Sequence, residues 1–299
     1  MRWLTPADYE FYGFWGPESD GRKAVEDHKI LLEERRAKYK NTLIDKDNEH
    51  AKILKERGWV VISNFFTEKE KEKLLTIKAS MEKNIQKGNV KNLKSNIIHL
   101  IRDPLSNIEK INDILFDERI IEICRGYLET EPALTSVAAR KSYVVKDMTQ
   151  NNQFFHRDYN SLTKHLKVAF YLHDVDYETG PFTYVDKSNI KIPSEWTSQH
   201  YWHDQDIKVA YGNDSIKYLT ANFGDLIIAD TRGFHKGLKP VSKERLAVHA
   251  CYMIHPELTG RTHEKITEEK NWFKIKKEDY ENLNQNQKPT ADFLQIIDK

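Results

Sequence analysis

The feature that most constrains the fold lies between residues 134 and 255, where short runs rich in β-branched and aromatic residues follow one another. ALTSVAARKSYVV, KVAFYLHDV, DLIIAD and RLAVHACYMI are the clearest of them. Such side chains suit a pleated, half-buried surface. Between the runs stand turn signals, Glu178-Thr179-Gly180-Pro181 and Phe223-Gly224-Asp225. Glycine and proline there set backbone angles that a continuing strand does not adopt. Short strands closed by turns read as an antiparallel sheet.

Helical texture flanks this region. Residues 22 to 57 are highly charged, with apolar positions at Val25, Leu31, Leu32, Tyr39, Leu43 and Leu54. That predicts helix with a solvated outer face and a break near Asn41 to Asp47. Gly58 ends the helix and WVVISNFF reads as a strand. Thr67-Glu68-Lys69-Glu70 is a capping-box pattern, opening a helix to about Gly88. Residues 107 to 128 predict one amphipathic helix through Ile111, Leu115, Ile121 and Leu128. The first twenty residues, with Tyr9, Phe11, Phe14 and Trp15, read as an aromatic arm, and the tail from 256 to 299 as partly helical. Helices, then antiparallel strands, then a short tail predict an α+β domain with a β-sandwich or barrel centre and helices outside. The expected division is an arm and charged helical region over 1–57, a main domain over 58–255 whose β core spans about 134–255, and a helical tail over 256–299.

Charge narrows the partners. There are 47 basic and 46 acidic side chains, a formal net charge of +1. Nucleic-acid binding rests on basic excess, so no nucleic-acid partner is expected. No apolar run approaches the ~20 residues of a membrane span, and the start shows no apolar stretch after Arg2. Cys124 and Cys251 stand 127 positions apart and form no disulfide framework. The expectation is a cytoplasmic protein of a reducing compartment, with no membrane partner. Oligomeric state is not legible.

The stretch QFFHRDYN places His156 and Asp158 two positions apart. In a strand, residues i and i+2 share a face, so an imidazole nitrogen and a carboxylate oxygen can converge on one ion. Taken alone, an H-x-D pair is more often a solvated turn. His235 supplies a third donor, 79 positions on, after the turn and apolar strand GDLIIADTRGFH. Two histidines and a carboxylate form the facial triad of non-haem Fe(II) oxygenases, which leaves three coordination positions open. Arg245 follows ten positions later in RLAVHACYMI. A buried arginine in a barrel strand is costly unless paired, and its guanidinium fork suits a ligand carboxylate. The far carboxylate of 2-oxoglutarate fits that description.

In this order the motifs resemble the phytanoyl-CoA dioxygenase-like family of Fe(II)/2-oxoglutarate-dependent oxygenases, over roughly residues 50 to 255. ERGWVVISNFFTEKEKEKL is similar to that family's opening strand and helix, FFHRD to its H-x-D segment, and KVAFYLHDVDYETGPFTYV to its next core strand and glycine turn. GDLIIADTRGFHKG followed by Arg245 is similar to its distal histidine and co-substrate arginine. The resemblance implies a double-stranded β-helix (jelly-roll, cupin-like) core with flanking helices. It also implies Fe(II) on His156, Asp158 and His235, and 2-oxoglutarate on Arg245, with O₂ as the other co-substrate. The reaction implied is hydroxylation of a C–H bond in a small-molecule substrate, with release of succinate and CO₂. Asp158 supports hydroxylation, or another oxidation of a C–H bond, because related halogenating enzymes carry a small residue there.

The chain departs from the family twice. Val185 to Asn189 reads VDKSN where the family often has Pro-Gly-Ser-His, and Ala247 stands where relatives often place a serine two residues after the arginine. A second contact to the co-substrate carboxylate must come from elsewhere, with Lys141, Tyr143 and Thr231 as candidates. His249 shares a strand face with Arg245, so it either touches the co-substrate pocket or, more commonly for such a residue, is a satisfied core histidine. His165 and His173 read as loop or strand-end residues, and Cys251 as a small core residue. His200 and His203 lack a partner for a zinc site. The long connector from Lys187 to Asn222 carries Trp196, Tyr201, Trp202, Tyr211 and Tyr218, either lining a lid or stapling the connector to the barrel. Two other readings stay open: a non-catalytic barrel that binds a ligand or partner, and a metal enzyme that does not use 2-oxoglutarate.

Overall fold

The four runs read as strands form the spine of a seven-stranded sheet. The computed structural model describes residues 3–4, 21–92, 98–145, 153–158, 164–196, 201–256 and 273–298. Most of the expected aromatic arm lies outside the described residues. In chain order the strands are β1 (Trp3–Leu4), β2 (Trp59–Ile62), β3 (Val90–Asn92), β4 (Ile98–Ile101), β5 (Ala133–Ser142), β6 (Leu166–Tyr171) and β7 (Phe182–Val185). Then follow β8 (Ile192–Pro193), β9 (Ile216–Leu219), β10 (Leu226–Asp230), β11 (His235–Gly237), β12 (Arg245–Met253), β13 (Lys274–Lys276) and β14 (Gln295–Ile297). The large sheet has the order β2-β10-β6-β12-β5-β4-β3, with every neighbouring pair antiparallel. A smaller antiparallel sheet has the order β11-β7-β9.

The period of two along the strands sorts the core into layers. On β6, Leu166, Val168 and Phe170 join one apolar cluster, while Ala169 and Tyr171 join another. On β10, Leu226 and Ile228 go to the first cluster, and Ile227 and Ala229 to the second. The first cluster is the helix side of the sheet, holding Leu54, Leu74, Ile77, Ile120 and Cys124. The second lies between the two sheets and includes Phe182, Tyr184 and Leu219 of the small one. β12 is buried along its whole length. It gives Leu246, Val248, Ala250 and Tyr252 to the helix side, which leaves Arg245, Ala247, His249 and Cys251 facing the small sheet.

The helices follow from local signals. Gly21–Lys38 and Glu49–Arg57 flank the expected break. Gly58 closes the second in a left-handed conformation, φ 83°, and a Cβ there would sit 2.3 Å from the Tyr184 hydroxyl. Thr67 and Glu70 cap Glu68–Gln86 reciprocally, as the motif predicts. The single helix expected over 107–128 is instead three short helices, Pro104–Asn107, Ile111–Leu115 and Glu118–Leu128. Lys110 takes φ 65°, and Asp117 starts a new helix by accepting from the Arg119 N–H. The capping carboxylate interrupts a continuous apolar period. The tail is also less helical than expected, because β13 and β14 pair in parallel around the short helix Lys277–Glu281. Ile275, Leu283 and Leu294 anchor it in the helix-side core. No helix among the described residues is long and apolar enough to cross a membrane.

Candidate metal centre

His156 and His235 are 79 positions apart in sequence but directly bridged in space. The His156 N–H donates to the His235 carbonyl at 3.0 Å, and the His235 N–H donates back at 2.9 Å. Asp158 is tied to the same strand end, its N–H donating to the Thr231 carbonyl at 3.0 Å. The fold therefore delivers His156, Asp158 and His235 together, with one donor atom from each lying within 4.8 Å of the others. The two imidazole rings stand 4.4 Å apart, and His235 Nε2 is 3.6 Å from Asp158 Oδ1.

Each donor is held by a further contact. His156 Nδ1 bonds the Phe154 carbonyl and His235 Nδ1 the Gly233 carbonyl, both at 3.0 Å. Those bonds place the proton on Nδ1 and turn Nε2 toward the cluster, as a metal-ligating histidine requires. His235 Nε2 is fully enclosed and has no hydrogen-bond partner. A buried nitrogen left this way costs stability unless something binds it, and a metal ion would. Lys167 Nζ holds the other oxygen of Asp158, Oδ2, at 2.9 Å, leaving Oδ1 toward the histidines.

The protonation states suit ligation. Burial pushes the His235 imidazole well below its ordinary value, and burial likewise lowers His156. Both are therefore neutral, with a lone pair to offer. Burial works against the Asp158 charge, but the Lys167 ammonium above all outweighs it and holds the carboxyl well below the usual carboxylate range.

His156 and His235 open onto a cavity of about 120 Å³, and Arg245 lines it as well. Arg245 is 7% exposed, and its Nη1 donates to the Leu238 carbonyl at 3.1 Å and to that of Thr179 at 3.4 Å. Its Nε is enclosed without a partner. No carboxylate lies within ion-pair distance of it among the described residues. Burial lowers its pKa. A buried guanidinium with no counter-charge is costly to keep.

No family sequence model matches the chain, and no curated protein does. Solved structures do. The non-heme alpha ketoglutarate dependent epimerase SnoN from nogalamycin biosynthesis aligns with a TM-score of 0.56 at 15% identity, over 68% of this chain and 81% of that one. The alpha ketoglutarate dependent carbocyclase SnoK from the same biosynthesis gives 0.54 at 16%, over 71% and 87%. HygX from Streptomyces hygroscopicus gives 0.51 at 16%, over 70% and 89%. At this identity the likeness establishes a shared fold. SnoN has been solved with Fe3+ and alpha ketoglutarate, and HygX with nickel and 2-oxoglutarate. The His–Asp–His donor set of this chain matches such a metal and co-substrate pair.

Other expectations fare differently. None of the three candidates for a second co-substrate contact lines the cavity. Lys141 pairs with Glu244 at 2.6 Å, Tyr143 bonds His99 at 3.0 Å, and Thr231 sits fully buried behind Asp158. Ser142 does line it. It stands opposite Arg245 in the β5–β12 register, its hydroxyl buried and unpartnered. The Tyr171 hydroxyl also lines it, accepting from the Phe182 N–H at 2.9 Å. His249, weighed between the co-substrate pocket and the core, lines the cavity with both ring nitrogens unpartnered. Arg140 and Lys167 line it too, and sequence reasoning missed both. The available signal was parity: Arg140 and Ser142 share a face of β5, and Lys167 and Tyr171 share one of β6.

The connector aromatics act as a staple. Trp196, Trp202 and Tyr211 cluster with Phe155 and Phe234, the residues that immediately precede His156 and His235. Tyr201 differs, its ring lying 6.4 Å from that of His156. Val185, Ser188 and Asn189 of the VDKSN run are buried beneath the same turn, while Lys187 is exposed. The Ser188 hydroxyl accepts from the Phe234 N–H at 2.8 Å, and a Cβ on Gly233 would meet the Tyr184 hydroxyl at 2.0 Å.

Proposed function

We propose that this chain is an Fe(II)- and 2-oxoglutarate-dependent dioxygenase that hydroxylates a C–H bond of a small molecule, releasing succinate and CO₂. One observation carries the reading. A single cavity holds two unmet demands, an enclosed His235 Nε2 beside His156 and Asp158, and an unpaired buried Arg245. A metal ion answers the first and a carboxylate the second, and 2-oxoglutarate can reach both. The resemblance to the phytanoyl-CoA dioxygenase-like family supports the assignment, as does the fold shared with SnoN, SnoK and HygX. In this reading residues 58–255 carry the activity on a double-stranded β-helix, the large and small sheets being its two halves.

His156, Asp158 and His235 would hold the iron, and Arg245 the far carboxylate of 2-oxoglutarate. Iron with 2-oxoglutarate and O₂ supplies the oxidising power for C–H cleavage. The protein supplies the rest. The Nδ1 bonds fix both imidazoles in the ligating tautomer, and Lys167 fixes the carboxylate oxygen that faces the metal. The Ser142 and Tyr171 hydroxyls flank Arg245 and are the second contact that Ala247 cannot provide. The names of SnoN and SnoK include an epimerase and a carbocyclase, so the fold alone does not dictate the outcome. Asp158 fills the position that must be vacated for halogenation, which supports oxygen return.

The test needs no substrate. Fe(II) and 2-oxoglutarate are added anaerobically, and the visible charge-transfer absorption of the iron–2-oxoglutarate complex is recorded. A band in the wild type that is lost in His235→Ala and weakened in Arg245→Ala is expected. No band from folded, iron-loaded protein would remove 2-oxoglutarate from the reading.

A further inference from the structure

Two polar side chains of the cavity, half-buried Arg140 and buried His249, have no role in holding the metal or in the Arg245 contact. Arg140 projects from β5, its Nε enclosed without a hydrogen-bond partner. No carboxylate lies within ion-pair distance of it among the described residues. Burial, with Arg245 nearby, pushes its guanidinium down to about 10, so it stays charged at neutral pH. His249 projects from β12 with Nδ1 and Nε2 both enclosed and unpartnered. In the β5–β12 register Arg140 faces Ala247 and His249 faces Ala138, which makes them diagonal neighbours on the inner face. Burial, reinforced by Arg140, holds His249 neutral, so it offers one donor and one acceptor.

Charge balance says what belongs there. Lys167 and Asp158 neutralise each other as a pair at 2.9 Å. On the proposed function, the metal dication and the 2-oxoglutarate dianion also cancel. Arg140 and Arg245 then leave two positive charges in a cavity that no aspartate or glutamate lines among the described residues. Arg245 is buried and the Arg140 Nε is enclosed, so positive charge left there without a counter-charge is costly to keep, and the co-substrate alone does not remove it.

We propose that Arg140 and His249 form a second oxyanion subsite, and that the molecule oxidised carries a carboxylate, phosphate or sulfonate group received there. The proposal rests on the dioxygenase reading for the metal and 2-oxoglutarate. The same guanidinium chemistry would also suit the inner carboxylate of 2-oxoglutarate, so the experiment separates the two sources.

Ni(II)-loaded wild type, Arg245→Gln and Arg140→Gln are titrated with 2-oxoglutarate by calorimetry. The Ni(II)–2-oxoglutarate forms are then melted with inorganic phosphate, sulfate or acetate. Arg245→Gln is expected to weaken 2-oxoglutarate by at least about 30-fold and Arg140→Gln by less than about 3-fold. At least one of the three anions raises the wild-type melting temperature, and Arg140→Gln and His249→Phe abolish that rise. Loss of 2-oxoglutarate affinity in Arg140→Gln equal to that in Arg245→Gln assigns the guanidinium to the co-substrate and overturns the proposal. So does a wild type that none of the three anions stabilises. If wild type binds no 2-oxoglutarate, the dioxygenase reading fails on its own. Phosphate is then titrated into metal-free Arg245→Gln protein. Binding that disappears when Arg140→Gln is added keeps the subsite, and binding that is absent or unchanged overturns it. Arg140→Met guards against misfolding. It should melt at or above the wild type without ligands, and a melt well below it would make Arg140 a structural support and overturn the proposal.

Discussion

Two arginines stand near the ends of strands in the same sheet, Arg232 half-buried and Arg245 buried, and they live differently. Arg232, just past β10, grips Asp230 at 2.6 and 3.0 Å and donates to the Tyr127 hydroxyl at 3.1 Å. Asp230 is fully buried, and it also accepts from that hydroxyl. Arg245, at the start of β12, has only carbonyls. The first arginine belongs to a satisfied network that fixes the turn before His235. The second carries an unmet charge into a cavity. A buried ion pair is structure, whereas a buried ion without its pair is a request for a ligand.

Four measurements break or sharpen that contrast. The largest effect is expected at the satisfied arginine. Arg232→Met leaves Asp230 charged and unpaired in the core and should cost about 3–5 kcal/mol in denaturant melts. A loss of less than ~1 kcal/mol would erase the distinction between the two arginines. Arg245→Met should behave oppositely. Without ligands its stability should hold or rise, while 2-oxoglutarate affinity falls by about 1.5–3 kcal/mol, the scale of a hydrogen bond to a charged group. Calorimetry and melts on the same variant read both halves.

Lys167→Met comes next. It frees Asp158 Oδ2 and should weaken metal binding by roughly 10-fold, the low end for a supporting contact. Because Lys167 lowers the Asp158 pKa, its removal raises it. Protons then compete more strongly, and metal release on acidification should begin at a higher pH than in wild type.

The smallest effect is a pH slope. His249 is held well below its ordinary value of 6.5, first by burial and then by Arg140. The unfolded chain therefore binds a proton below pH 6.5 that the folded chain refuses. Its contribution to stability is complete above that pH and is lost as pH falls from there toward the folded pKa. Metal-free protein should weaken between about pH 7 and 5, and His249→Phe should weaken less steeply. Equal slopes would mean that His249 is not held neutral.

The satisfied and unsatisfied regions also differ in how legible they were. The triad and Arg245 could be read because their spacing is a chemical pattern, whatever the exact strand register. Arg140 and Lys167 depend on register. In ARKS, only the β5–β12 pairing shows that Arg140 faces the cavity while its neighbour Lys141 pairs with Glu244. A shift of one residue exchanges them. The apolar runs announced β5, β6, β10 and β12, but the helix expected over 107–128 was broken by Asp117, whose cap competes with an unbroken apolar period. The connector aromatics were legible as a cluster. That they buttress Phe155 and Phe234 depended on tertiary contacts no local pattern holds.

The bridge between His156 and His235 has a consequence for assembly. Joining them closes a 79-residue loop, whose length term alone costs roughly 4 kcal/mol of chain entropy. The unfolded chain offers only the weak His156–Asp158 pair, so a strong chelate exists only once β10, β11 and the 153–158 segment have met. A metal bound there acts as a clasp on a closed ring. It holds the native topology by mass action, and it is gained after folding and surrendered when that bridge first parts.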